Sequence, residues 1–81
     1  MATSNLSPRK RRNMAGEIRS KVTNANLTFV WLIHRLSDRG LFTDKFELSA
    51  TLSGSRTGPK ADDILTQSLA ILTEYEVKMK T

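Results

Sequence analysis

The chain has 81 residues, no cysteine, and 13 Lys and Arg against 8 Asp and Glu, for a formal net charge of +5. A domain of this size buries a modest core and has little chain to spare for a large catalytic cleft, and the lack of cysteine excludes disulfides and thiolate metal sites. No stretch approaches the roughly 20 apolar residues of a membrane span or the apolar core of a signal peptide, so a soluble cytoplasmic protein is expected.

Residues 1–13 read as a disordered basic arm. Ser4, Asn5, Ser7 and Pro8 lead into four consecutive cations, Arg9, Lys10, Arg11 and Arg12, a composition that opposes burial and offers no apolar face to a membrane surface. An arm of this kind follows DNA and enters a minor groove, or serves only as a solubilising tail. The folded domain is then expected over 14–81.

A first helix is predicted over 14–25, with Ile18 and Val22 on one face and Asn24-Ala25-Asn26 closing it. Thr28 suits the N-cap of a second helix, Phe29 to Asp38, in which Phe29, Leu32, Ile33 and Leu36 form a buried stripe and Gly40 provides the stop. Trp31, off that stripe and beside Arg35, is read as covering the edge of the core. Thr43 or Asp44 caps a third helix, Lys45 to Ser53, whose inward pair is Leu48 and Leu52. Lys45, Glu47, Ser49 and Ala50 are read as its outward residues, small enough at the centre for a close approach to base edges; the competing reading is a plain solvated face.

The segment Leu48-Ser-Ala-Thr-Leu-Ser-Gly-Ser-Arg-Thr-Gly-Pro-Lys60 joins this helix to the next. Gly54 suits the left-handed position past a helix end, and Pro59 suits the first turn of the following helix. With its backbone amides open, the turn offers Ser55, Arg56, Thr57 and Lys60 as a phosphate clamp, or is an ordinary polar loop. The fourth helix runs from Pro59 to about residue 78, and Asp62 and Asp63 suit its positive N-terminal end. Ala61, Ile64, Leu65, Ser68, Leu72, Tyr75 and Met79 share a face, with Ile71 at its margin and Leu69 and Val77 to the side. That stripe is longer than three short helices cover, which suggests a second subunit on Leu69, Leu72, Tyr75, Val77 and Met79.

Charge is polarised along the chain. Arg9, Lys10, Arg11, Arg12, Arg19 and Lys21 face only Glu17 in the first quarter, whereas Asp62, Asp63, Glu74 and Glu76 outnumber Lys78 and Lys80 in the last. Clustered cations imply a polyanionic partner. Catalysis has little to stand on: His34 is the sole histidine, with no cysteine or carboxylate at a triad-like spacing, and Gly54–Gly58 lacks the Gly-Lys-Ser/Thr of a phosphate-binding loop. The aromatic residues Phe29, Phe42, Phe46, Trp31 and Tyr75 sit mostly at core-like positions, which disfavours a single-strand RNA reader.

The order of helices around Leu-Ser-Gly-Ser-Arg-Thr-Gly-Pro-Lys resembles the Cro/repressor type (XRE-like) of helix-turn-helix protein found in phages, mobile elements and bacteria, over residues 14–75. The resemblance implies that Thr28-Phe29-Val30-Trp31-Leu32-Ile33 opens the first motif helix, that Lys45–Ser53 is the recognition helix, that Leu48 and Leu52 hold it to the core, and that Arg56 and Lys60 reach the DNA backbone. This chain departs from the pattern at Ile33, where a small residue is usual, and in a longer spacing to Leu48, which implies a longer second helix or an insertion including Leu41 and Phe42.

The reading is therefore an all-α, four-helix helix-turn-helix domain with a flexible basic N-terminal arm and a long C-terminal helix. Its expected function is that of a sequence-specific transcriptional regulator of phage or mobile-element origin, a homodimer bound to double-stranded DNA at the nucleoid of a bacterial host. No enzyme activity, cofactor, metal, small-molecule substrate or membrane partner is expected. The rival is a protein-interaction module on the same scaffold, an antirepressor or an inhibitor of another protein.

Overall fold

A computed structural model describes residues 6–80. They form four helices and no strand: α1 Pro8–Asn24, α2 Phe29–Asp38, α3 Lys45–Ser53 and α4 Pro59–Lys80. The expected all-α class is observed.

The first helix starts six residues before the predicted position 14. Ser7 is its N-cap, the hydroxyl accepting from the Lys10 amide at 3.1 Å, and Pro8 opens the first turn. There its missing N–H removes nothing that the helix would have used. Leu6 packs against the core, and Arg11 reaches Asp62 of α4. Residues 8–13 are thus helical rather than part of an arm; two tertiary anchors hold down a segment whose composition alone opposes burial. Residues 1–5 of the expected arm lie outside the described residues.

The other boundaries follow their capping chemistry. Thr28 accepts from the Trp31 amide, and Asp44 rather than Thr43 caps α3, accepting from the Glu47 amide at 2.7 Å. Asn26 closes the α1–α2 turn at φ 57°, and Gly54 ends α3 at φ 89°, a left-handed conformation that suits glycine. Because α2 ends at Asp38, the extra spacing to Leu48 resides in the 39–44 connection and not in a longer helix.

α4 packs on all three other helices and most extensively on α1. Its Ile64, Leu65, Ile71 and Leu72 meet Ile18 and Val22 of α1, Leu32 and Leu36 of α2, and Leu48 and Leu52 of α3 in one core. Two ion pairs fasten the outer part of α4: Lys21 to Glu76 at 2.8 Å, and Arg39 to Glu74 at 2.7 Å. Trp31 covers the edge of the core as predicted, its ring edge-on to Tyr75 at 5.2 Å with the Arg35 guanidinium 5.8 Å from its centre.

Phe42 and Phe46 do not follow the core-like expectation. They are 70% and 89% exposed. Phe46 lies on the side of α3 opposite the buried Leu48 and Leu52, and Phe42 sits in the connection before it.

Candidate nucleic-acid interface

On α3 Leu48, Thr51 and Leu52 are buried, whereas Lys45, Phe46, Ser49 and Ser53 are exposed. Thr51 satisfies its buried hydroxyl on the Glu47 carbonyl at 2.8 Å. Of the predicted base-facing residues, Lys45 and Ser49 therefore point outward and Ala50 is half-buried.

Glu47 does not face outward. Its side chain is 12% exposed and lies beneath two cations, with Arg56 Nη1 at 3.3 Å and Lys60 Nζ at 3.1 Å. The Glu47 carboxylate, expected among the base-facing residues, instead gathers Arg56 and Lys60 into one cluster beside the α3–α4 turn. Arg56 and Lys60 remain more than half exposed, so their outer surfaces stay open to an anion.

The turn is also less open than its composition implies. The Gly54 amide donates to the Thr51 carbonyl at 3.3 Å and the Arg56 amide to the Ala50 carbonyl at 3.1 Å, both completing the end of α3. Those two amides are not available to a phosphate. Ser55 and Thr57 are exposed, and the Ser55 hydroxyl meets that of Ser53 at 3.1 Å.

The start of α1 comes to the same side. A cleft of about 280 Å³ separates Pro8, Arg11 and Arg12 from Ser53, Gly54 and Thr57. Arg11 itself is committed: its Nε donates to Asp62 Oδ1 at 2.7 Å and its Nη2 to Oδ2 at 3.3 Å. The hydrogen bond to Asp62 holds the guanidinium above its ordinary pKa, against the opposing effect of desolvation. Arg9, Lys10 and Arg12 are exposed and, among the described residues, have no carboxylate partner; the same holds for Arg19 and Lys45. At 100° per residue Arg9, Arg12 and Arg19 share the outer face of α1 with Asn13, Gly16 and Ser20, all exposed. The first turn of α1 contains no acidic residue, so Arg9 and Lys10 lie at the positive end of the helix dipole, where each costs stability.

The expected subunit contact is altered by the packing. Leu72 is 1% exposed within the core, Leu69 packs partly against that core, and Tyr75 is held by Trp31. Of the five, Val77 and Met79 remain, 59% and 68% exposed at the end of α4.

His34 is exposed on α2, and among the described residues no cluster of His, Cys, Asp or Glu is arranged to hold a metal. No described helix is long and apolar enough to cross a membrane. The chain matches no protein-family model, no curated protein and no solved structure.

Proposed function

We propose that this protein is a sequence-specific double-stranded DNA-binding regulator that lays the outer face of α3 into the major groove. One observation carries the reading: Arg12 of α1, which has no carboxylate partner among the described residues, lines the cleft that borders the end of α3, and Arg56 and Lys60 stand at the same α3–α4 turn although they lie far from Arg12 in sequence. Cations clustered at the positive end of a helix are electrostatically adverse in the isolated protein, and a phosphate backbone alongside relieves that repulsion. Between these basic flanks α3 presents Lys45, Phe46, Ser49 and Ser53, a short surface that fits the width of a major groove.

Binding of the full chain to random and selected duplexes across a salt series tests this. Affinity should fall linearly on a log–log scale as salt rises, and a selected sequence should bind at least 1,000-fold (~10³) tighter than random DNA at the same salt. Substituting Lys45 or Ser49 should change preference at a few base pairs by about 1–3 kcal/mol per contact. Absence of duplex binding at low salt would reject the reading. The exposure of Phe42 and Phe46 favours the second reading, a protein-interaction module acting as an antirepressor or inhibitor, in which those rings would insert into a protein partner.

A further inference from the structure

We infer that Phe46 is a specificity residue that packs its ring against the 5-methyl group of thymine in the major groove. The inference rests on the DNA-binding reading and names one base that the reading leaves open.

Phe46 stands in the first turn of α3 with 89% of its surface exposed. Nothing in the fold requires a large apolar ring there: the core side of the helix is filled by Leu48 and Leu52, and Asp44 supplies the cap. The ring is thus free to meet an occupant. The surroundings restrict what that occupant is. Lys45 and Ser49 share the exposed side of the helix with Phe46, and Glu47, the next residue, holds Arg56 and Lys60. Phe42 adds a second exposed ring, but two rings set among polar and charged side chains fall well short of the roughly 800 Å² per partner that a specific protein interface buries. The basic surround also complements a polyanion.

Within a duplex the major groove offers one apolar group at the base edges, the thymine methyl, and phenylalanine is among the side chains that contact it. The first turn of a helix inserted into that groove is where base edges are met. Phe46 then discriminates thymine by burying a methyl group, while Lys45 and Ser49 supply polar contacts on either side.

The test uses the full chain and duplexes selected from a random pool. Each thymine of the selected site is replaced in turn by deoxyuridine, which removes the methyl and leaves pairing intact. Wild-type protein should bind about fourfold more weakly for each contacted methyl lost, at one or two positions. Phe46→Ala, which should keep the helix content and urea midpoint of the wild type because the residue is exposed, should lose that sensitivity at the same positions. Wild-type protein that selects a sequence but ignores deoxyuridine everywhere overturns the inference and leaves DNA binding standing. Sensitivity that survives in Phe46→Ala overturns the assignment to this residue. Failure to select any duplex removes both readings and leaves the rings to a protein partner.

Discussion

Arg11 in the first turn of α1 grips Asp62 in the first turn of α4, its Nε and Nη2 donating to the two carboxylate oxygens at 2.7 and 3.3 Å. Asp62 is 6% exposed, so the pair closes the end of the α1–α4 packing and converts a basic sequence run into part of the fold.

Removing residues 1–12 should therefore lower the stability of the domain as well as its affinity for DNA. Arg11→Ala should lower the urea midpoint more than Arg12→Ala does, because it leaves the Asp62 carboxylate buried without its partner. The double variant Arg11→Ala/Asp62→Ala should recover part of that loss. Equal midpoints for Arg11→Ala and wild type would show that solvent replaces the pair without cost.

In the proposed complex, Glu47 competes with phosphate for Arg56 and Lys60, which it holds at 3.3 and 3.1 Å. Glu47→Gln keeps the shape and removes the charge, so it should strengthen binding to specific and random duplexes alike and steepen the salt dependence. Replacing both Arg56 and Lys60 by Ala should do the reverse, lowering the salt slope by up to about 2. Unchanged binding in both variants would place the phosphates elsewhere.

Arg9 should show opposite effects on stability and binding. An acidic residue in the first turn favours a helix, so Arg9→Glu should stabilise the free protein by about 0.5 kcal/mol at low salt. The same change should weaken duplex binding. Thermal melts and anisotropy titrations on one sample measure both; parallel changes in the two would remove the case for a phosphate contact on this turn.

The hydroxyl of Ser68 is fully buried in α4 and has no hydrogen-bond partner among the described residues. Ser68→Ala should stabilise the domain by about 1 kcal/mol, since it removes a desolvated polar group and leaves a cavity no larger than one oxygen. A lower urea midpoint would mean that the hydroxyl is bonded in solution.

A homodimer, if it forms through the end of α4, must use Val77 and Met79, since Leu72 is spent in the core and Tyr75 on Trp31. Replacing Val77 and Met79 by Lys should give monomers with unchanged helix content that lose cooperative binding to a palindromic site. Sedimentation of the unmodified chain at micromolar concentration checks the premise, and a monomer both free and on DNA would reject it.

Local signals in the sequence were sufficient wherever the deciding interaction lies within a few residues. Thr28, Gly40, Gly54 and Pro59 delimit α2, α3 and the start of α4 where capping and turn chemistry place them, and helical spacing identifies Leu32, Leu36, Leu48, Leu52, Ile64, Leu65 and Leu72 as core. Pro8 carries the same first-turn signal as Pro59, but the four cations after it oppose burial, so capping chemistry and composition disagree at that point. Their fate depended on Asp62, fifty-one positions away. Glu47, Phe42, Phe46 and the α4 stripe posed the same difficulty: period shows which side of a helix a residue occupies, and not which partner waits there. Only the tertiary packing brought Arg56 and Lys60 onto Glu47, set Arg12 across a cleft from the α3–α4 turn, and left Phe46 in solvent. Ion pairing and exposure are properties of surfaces that meet from distant parts of the chain, so they are decided when the helices pack.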